Sequence, residues 1–285
     1  MKKIVLRAPA KLNLILKVLN KRPDGYHTLK TIFERISLSD DLEFSGAPTN
    51  RISIVCDHPH VPVGPKNLVY KIAAILKQDY KIKDGVRIRI RKNIPVAAGL
   101  AGGSTDAATA LLGLNQLWGL NLPQEKLVSY ARQVGSDVAF FLYDTSWALG
   151  TERGDVIRPL DIASKLWHVV VVPKVKMYSR EVFTHLNLQL TKKDDDVNIL
   201  LRCLQGNDVV EAQNLLANDL ETSILTICPK LQIVKDRVAG CGLNGVSFSG
   251  SGPAVFALTT SKEQAQDAAL ILSKRYTQVF VVCTY

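Results

Sequence analysis

The chain has few of the features that mark secreted, membrane-spanning and disulfide-bonded proteins. Only five of its 285 residues are cysteines, an odd number, and none forms a C-x-x-C pair, so reduced thiols in a reducing compartment are the simplest account. No apolar run approaches the roughly 18 residues of a transmembrane helix. Polar residues also interrupt the basic N-terminus before a signal-peptide core can form. We therefore expect a cytoplasmic protein that has no membrane partner.

Several catalytic signatures are also missing. The chain contains no G-x-S-x-G, no H-E-x-x-H and no Cys–His pair with supporting context, which argues against common hydrolases and metalloproteases. A glycine-rich stretch is present, I-P-V-A-A-G-L-A-G-G-S-T-D-A-A at residues 94–108. It has neither P-loop nor dinucleotide-fold spacing. If this stretch holds phosphate, it does so in another way.

Positive charge exceeds negative charge. The 36 Lys and Arg residues against 26 Asp and Glu residues give a net charge of +10, which favours a polyanionic partner, either nucleic acid or phosphorylated small molecules. A nucleic-acid-binding domain would interleave basic and aromatic residues on one face. Here the basic residues are dispersed, and the dense run 87–92 alternates like the solvent-facing side of a strand. We keep nucleic-acid binding as an alternative and expect no such partner.

Hydrophobic periodicity predicts an α+β protein in two halves. The first half reads mainly as strands at 4–6, 12–18, 29–38, 41–44, 52–56 and 86–91, with helices at 67–80, from 104 onward, and at 123–134. The second half has a continuously apolar strand at 167–172 and further strands at 245–248, 254–259 and 278–284. Its helices are predicted at 180–184, 197–205, 209–217, 229–241 and 261–275. We place the domain boundary near 158, which gives domains 1–158 and 159–285.

The glycine-rich stretch predicts an anion site. Gly99, Gly102 and Gly103 allow consecutive N–H groups to converge, and Ser104 and Thr105 suit the start of a helix, whose free N–H groups and dipole attract phosphate. The other interpretation is a tight strand-to-helix turn with glycines for packing. Asp106 would repel a phosphate that it faced, so we assign it a structural role.

Two motifs together indicate a family. P-V-A-A-G-L-A-G-G-S-T-D-A-A resembles the phosphate-binding signature of the GHMP kinases, and V-S-F-S-G-S-G-P-A-V-F-A-L at 246–258 resembles their C-terminal motif. The resemblance implies a two-domain fold: an N-terminal ATP-binding domain with a mixed sheet and helices, like domain 2 of ribosomal protein S5, and a C-terminal, substrate-side ferredoxin-like α/β sandwich. It implies ATP as the phosphate donor, with Mg²⁺ carried by the nucleotide. The implied ATP-binding residues are Pro95, Val96, Ala97, Ala98, Gly99, Leu100, Ala101, Gly102, Gly103, Ser104 and Thr105, with Asn67 and Leu68 beside the adenine. Ala101 stands where the family usually has glycine.

The N-terminal segment narrows the choice within the family. A-P-A-K-L-N-L puts Lys11 and Asn13 on one face of a strand; from spacing alone this fits an edge-strand lysine equally well. With R-P-D-G-Y-H at 22–27 it resembles the GHMP kinases that phosphorylate the 2-hydroxyl of 4-diphosphocytidyl-2-C-methyl-D-erythritol, a cytidine-diphosphate-linked polyol, in the non-mevalonate (methylerythritol phosphate) route to isoprenoid precursors. A homoserine or mevalonate kinase is the alternative, and it leaves R-P-D-G-Y-H unexplained.

The same resemblance implies roles for single residues. G-S-D-V-A-F-F-L at 135–142 is similar to the segment with the catalytic aspartate, which makes Asp137 the base and Lys11 its partner. The implied substrate-binding residues are Asn13, Tyr26, His27, Gly250, Ser251 and Phe183, with Tyr178 as the alternative to Phe183 for the second ring on the cytosine. We assign no protein ligand to the metal. We expect a monomer or weak homodimer.

Overall fold

The computed structural model describes residues 3–188 and 195–285. The chain forms two compact units, each made of several segments. The first comprises the chain up to Ala10, Leu38–Val96 and Ala101–Asp144; the second comprises Lys11–Ser37, Ala97–Leu100 and Thr145–Tyr285. Two long strands, β1 (Lys3–Lys21) and β2 (His27–Ala47), contribute to both units. The boundary near 158 stays a prediction, because these units do not divide the chain into two consecutive halves.

In the first unit, β4 (Gly85–Arg91) pairs with two strands. It runs antiparallel to the end of β2 and parallel to β3 (Ile52–Cys56). Its isoleucines are buried and its arginines are exposed, as the alternating basic run predicts for a strand with one face in water.

The helices of the first unit follow the predicted pattern closely. They are α1 (Leu68–Asp79), α2 (Gly102–Leu117) and α3 (Gln124–Val134), followed by a 3₁₀ helix at Ser136–Leu142 that sequence analysis did not predict. Most residues of α2 are buried, so this helix is a central element of the unit's core. It begins two residues before the predicted start.

The second unit contains a four-stranded antiparallel sheet in the order β11-β7-β10-β9. The strands are β7 (Trp167–Val171), β9 (Val246–Phe248), β10 (Val255–Thr259) and β11 (Val279–Cys283). Side chains from α8 (Lys230–Ala239) and α9 (Lys262–Ser273) pack with those of β7 and β10 in one hydrophobic core. The α+β prediction is therefore confirmed, with a mixed sheet in addition to this antiparallel one.

The described part of the second unit contains four further helices. They are α4 (Ser179–Thr184), α5 (Asp195–Gln205), α6 (Val209–Asn214) and α7 (Glu221–Ile227). The predicted helix 209–217 was too long, because α6 ends at Asn214 and Ala217–Asn218 form a short strand, β8, parallel to β1. A two-residue strand has no periodicity from which to predict it.

Two further strands were missed for a similar reason. β5 (Trp147–Thr151) pairs antiparallel with β2, and β6 (Val156–Pro159) pairs with β5. Both are short, and Gly150 and Pro159 weaken their strand signal. Gly150 has a packing reason, since a Cβ there would overlap the ring of Phe33.

A fully buried polar cluster lies in the second unit. Glu34 of β2 and His168 of β7 are both 0% exposed, with 2.8 Å between Oε2 and Nε2. Thr284, just after β11, donates its hydroxyl to Glu34 Oε1 at 2.7 Å and accepts from the N–H of Leu166 at 2.8 Å. A residue that follows β11 therefore supplies a hydrogen bond to one oxygen of a buried carboxylate.

The close contact between Gly113 of α2 and the Phe44 ring allows the packing of the first unit to be tested. A Cβ at this position would lie 2.5 Å from Cε2 of the buried Phe44 ring. Alanine is favoured over glycine in a helix by about 1 kcal/mol, but overpacking costs about 1–3 kcal/mol, and the overlap is severe. We expect Gly113→Ala to lower the free energy of unfolding by about 1–2 kcal/mol in urea titrations. Gly46→Ala, where a Cβ meets nothing within 4 Å, is the control; an equally stable Gly113→Ala protein would contradict the packing argument.

Candidate active site

Lys11 and Asn13 form a buried pair in the second unit. Lys11 is 3% exposed and Asn13 is 2% exposed, and the Lys11 ammonium donates to Asn13 Oδ1. Asn13 Nδ2 in turn donates to Thr31 Oγ1 at 2.8 Å, and Thr31 donates to the carbonyl of Ile15 at 2.7 Å. Thr31 therefore fixes which way the Asn13 amide points. Sequence analysis missed Thr31, since a threonine in a strand carries no signal of its own.

The C-terminal glycine motif lies beside this pair. A Cβ on Gly250, whose φ is +56°, would lie 3.1 Å from Lys11 Nζ and 3.2 Å from Asn13 Oδ1. The side chain of Asn218 holds the motif by donating to the carbonyls of Phe248 and Gly250 at 2.9 and 2.7 Å. Asn218 was missed with β8, whose pairing to β1 places it there. The next motif residue, Ser251, hydrogen-bonds Ser179 at the start of α4 at 2.8 Å.

The two glycine motifs predicted from sequence meet in the second unit. Ser249 Oγ donates to the carbonyl of Gly99 at 3.0 Å across 150 residues of chain, and the N–H of Ala254 donates to the carbonyl of Ala98 at 3.0 Å. Gly99 has φ +84°, and a Cβ there would overlap the carbonyl oxygen of Ser249. Glycine is thus required both for the backbone angle and for the close approach.

The left-handed residues in the stretch 94–108 differ from the prediction. Gly99 has positive φ, but Gly102 and Gly103 lie in the first turn of α2, and the other positive angles belong to Ala97 (φ 57°) and Ala101 (φ 58°). A Cβ on Gly102 would instead make a tight contact, 3.0 Å from a side-chain carbon of Ile94. Ala101 gives α2 no side-chain cap, and the N–H groups of Ser104 and Thr105 donate to the Ala101 carbonyl at 2.9 Å. The N–H groups of Gly102 and Gly103 are therefore the ones suited to bind an anion.

The first unit contains the start of α2 and the residues on either side of it. Pro95 and Val96 precede the loop, and Ala101–Thr105 follow it. Thr105 is fully buried, and its hydroxyl has no hydrogen-bond partner among the described residues. A buried hydroxyl of this kind needs a partner, which fits the predicted contact with phosphate.

A buried cluster of three charges lies behind the start of α2. The Lys92 ammonium contacts Asp106 Oδ2 at 2.8 Å and also Asp40 Oδ2. Asp40 Oδ1 accepts from the N–H groups of Asn93 and Ile94 at 2.6 and 2.8 Å. The cluster thus fastens the chain before the loop to the N-terminal part of α2. Asp106 has the structural role that sequence analysis assigned to it.

Burial dominates the titration of Asp106. Loss of hydration raises its pKa, the Lys92 ammonium lowers it, and Asp40 raises it further, so that the pKa is about 7 instead of 3.8. Two carboxylates against one ammonium leave the cluster with an excess of negative charge, which favours a proton on Asp106.

Two rings stack in the second unit. His27 and Phe183 have centroids 5.3 Å apart and planes 20° apart. Burial and, secondarily, the nearby charge of Lys21 lower the pKa of His27, which favours the neutral ring at pH 7. Tyr178, the alternative to Phe183, is 62% exposed. Tyr26, the residue before His27, lies under the guanidinium of Arg153, 5.1 Å from the ring centroid.

The other predicted residues lie in the first unit. Asn67 caps α1 by accepting from the N–H of Val69 at 2.8 Å and donates to the carbonyl of Pro62 at 2.6 Å; Leu68 is the first residue of α1. Asp137 is half-buried in the 3₁₀ helix, directly before the buried run 138–142. The roles of Asn67, Leu68 and Asp137 stay predictions, as does the partnership of Asp137 with Lys11 of the second unit.

Comparison with known proteins identifies the family. Residues 67–145 match the GHMP kinases N terminal domain, and residues 200–278 match the GHMP kinases C terminal domain. A 4-diphosphocytidyl-2-C-methyl-D-erythritol kinase from Exiguobacterium sibiricum is 40% identical over 92% of this chain and 91% of its own length. One from Bacillus velezensis is 39% identical over 93% and 91%. The chain belongs to the 4-diphosphocytidyl-2-C-methyl-D-erythritol kinase family. It is thus an ATP-dependent kinase of the GHMP type.

Solved structures agree with this assignment. A crystal structure of a 4-(cytidine 5'-diphospho)-2C-methyl-D-erythritol kinase has a TM-score of 0.84 at 31% identity and covers 99% of this chain and 100% of its own. Homoserine kinase from Cytophaga hutchinsonii has a TM-score of 0.77 at 22% identity, covering 100% and 95%, which shows a shared fold. Within the described residues, no helix is long and apolar enough to span a bilayer.

Asp106 makes stability depend on pH. Its pKa is about 7 in the folded protein against the ordinary value of 3.8, so between these values the folded state retains a proton that the unfolded state has released. Stability therefore falls as the pH rises from about 4 to 7. Asp106→Asn keeps an acceptor for Lys92 but cannot titrate, and we expect a flatter profile of unfolding free energy between pH 5 and 7. Exposed Asp84→Asn is the control; an unchanged slope in Asp106→Asn would contradict this assignment.

Proposed function

We propose that the chain transfers the γ-phosphoryl group of ATP to the 2-hydroxyl of 4-diphosphocytidyl-2-C-methyl-D-erythritol, giving the 2-phosphate and ADP in the non-mevalonate route to isoprenoid precursors. The His27–Phe183 ring stack carries this choice, and its histidine ends the R-P-D-G-Y-H segment. Homoserine and mevalonate have no base to stack on rings, whereas cytosine has both a flat face and a hydrogen-bonding edge. A neutral His27 suits contact with that edge.

In the proposed reaction, Asp137 accepts the proton of the 2-hydroxyl as its oxygen bonds to the γ-phosphorus and the bond from that phosphorus to ADP breaks. Lys11 holds Asp137 ionised and stabilises negative charge on the transferring group. Asn13 and Thr31 keep the Lys11 ammonium in place through their hydrogen bonds. Gly250 and Ser251 contact the substrate.

The residues predicted to bind ATP suit a nucleoside triphosphate. Free N–H groups at the start of α2, with the hydroxyls of Ser104 and Thr105, supply donors for phosphate oxygens. Asn67 and Leu68 lie beside the adenine. Mg²⁺ would enter on the nucleotide, bound mainly by phosphates and water, as is usual for this small cation. We propose a cytoplasmic monomer or weak homodimer without a nucleic-acid partner.

The direct test is ATP consumption by the purified protein with Mg²⁺ and each of three substrates: the cytidyl compound, homoserine and mevalonate. We expect turnover of the cytidyl compound alone. Asp137→Asn should lower kcat by about 10²- to 10⁴-fold, while thermal unfolding stays near that of the wild type. Exposed Asp144→Asn removes the same charge nearby in the chain and should keep full activity. Turnover of homoserine or mevalonate instead, or a fully active Asp137→Asn, would overturn the respective assignment.

Phe183 and Tyr178 give a second test of the cytosine site. Loss of one stacked aromatic ring costs about 1–3 kcal/mol per base, so we expect Phe183→Leu to raise KM for the cytidyl substrate at least about fivefold. KM for ATP should stay unchanged. Tyr178→Leu, the matched control, should leave both values near wild type. Steady-state kinetics with each substrate varied separately checks this, and the reverse ranking would assign the second ring to Tyr178.

A further inference from the structure

Arg153 has a defined place beside the predicted cytosine site. It lies in the turn between β5 and β6, with its guanidinium 5.1 Å from the centroid of the Tyr26 ring. Tyr26 is 55% exposed, so hydrophobic packing alone does not hold its ring. A guanidinium over an aromatic face is attracted to the ring electrons and stacks flat on them. One face of Tyr26 is thereby covered by Arg153.

The guanidinium of Arg153 is itself held by the carboxylate of Asp155. Arg153 Nη2 donates to Asp155 Oδ2 at 2.7 Å, and the backbone N–H of Arg153 contacts Asp155 Oδ1 at 3.3 Å. Asp155 is 6% exposed, so its carboxylate holds the guanidinium from a buried position. The position of the Tyr26 ring is thus set by a chain of contacts that ends in the interior of the second unit.

The same hairpin turn also holds the backbone on both sides of Tyr26. The Glu152 carboxylate pairs with Arg22, and the Glu152 carbonyl accepts from the N–H of Leu29 at 2.6 Å. Within the R-P-D-G-Y-H turn, the N–H of Arg22 donates to the carbonyl of Tyr26 at 2.8 Å, and Asp24 Oδ1 accepts from the N–H of Tyr26 at 3.0 Å. Both the backbone and the ring of Tyr26 are therefore prepared before a ligand arrives.

We propose that Arg153 is a positioning residue for the cytosine ring: it covers one face of Tyr26 and holds the other face ready to stack on the base. This inference rests on the proposed function. An aromatic ring that is already oriented loses little conformational freedom on binding, so the contribution of Arg153 falls on affinity for the cytidyl substrate. It acts through Tyr26 and does not take part in phosphoryl transfer.

The test measures KM for the cytidyl substrate, KM for ATP and kcat in Arg153→Ala, with calorimetric titration of CDP as a binding probe that needs no turnover. An exposed cation–π pair contributes about 0.5–1 kcal/mol, so we expect a two- to fivefold rise, roughly, in KM for the cytidyl substrate and in the Kd for CDP. KM for ATP and kcat should stay within about twofold. Arg153→Lys, which keeps the charge, should recover part of the loss. Arg158→Ala, an exposed arginine on the same hairpin, controls for charge alone.

The Tyr26→Leu background separates positioning from direct contact with the substrate. If Arg153 acts through Tyr26, adding Arg153→Ala to Tyr26→Leu changes KM and the Kd for CDP little further. If the double variant instead shows the product of the fold-changes in KM and Kd of the two single variants, Arg153 binds the substrate itself, and the inference is overturned. An Arg153→Ala protein with unchanged KM and Kd would also overturn it. Neither result affects the proposed function, which fails separately if the wild-type protein does not turn over the cytidyl compound.

Discussion

The approach of two backbone segments at Gly99 is the constraint on which the second unit's part of the candidate site depends. Ser249 and Ala254 bond to the carbonyls of Gly99 and Ala98, and there is no room for a side chain at Gly99. The N–H of Lys11 also donates to the carbonyl of Leu100 at 3.2 Å. Segments from three distant parts of the chain are thereby joined around Ala97–Leu100. The distance between these segments is therefore set mainly by hydrogen bonds to main-chain carbonyls.

Two buried lysines, Lys92 and Lys11, have different polar contacts at their ammonium groups. Lys92 is surrounded by Asp40 and Asp106, so its charge is more than balanced and its task is to hold structure. Lys11 is equally buried, and its ammonium donates to the neutral amide of Asn13, with the Phe33 ring 5.7 Å from Nζ. Buried ammonium groups need polar partners, and the structure supplies an amide oxygen to Lys11 and two carboxylates to Lys92.

Much of the fold and of the site was predictable because the signals are local. Helix α1 and the apolar strand β7 follow from periodicity, and Lys11, His27 and Phe183 follow from motifs that resemble a known family. The missed residues act through long-range contacts. Thr31, Asn218 and Arg153 each position a residue that the motifs do identify, and these partners lie 18, 32 and 127 positions away along the chain. Backbone angles were also mispredicted where alanine occupies a conformation typical of glycine, at Ala97 and Ala101.

The buried carboxylate of Glu34 gives residues 283–285 an importance that their place after the last strand does not suggest. The Thr284 hydroxyl donates to Glu34 Oε1, the N–H of Cys283 donates to Ser37 Oγ at 3.1 Å, and the N–H of Tyr285 donates to the carbonyl of Arg35 at 2.9 Å. Together these bonds fasten this short segment along β2, the strand that also carries Thr31. A nascent chain therefore completes this part of the second unit only after residues 283–285 have left the ribosomal exit tunnel.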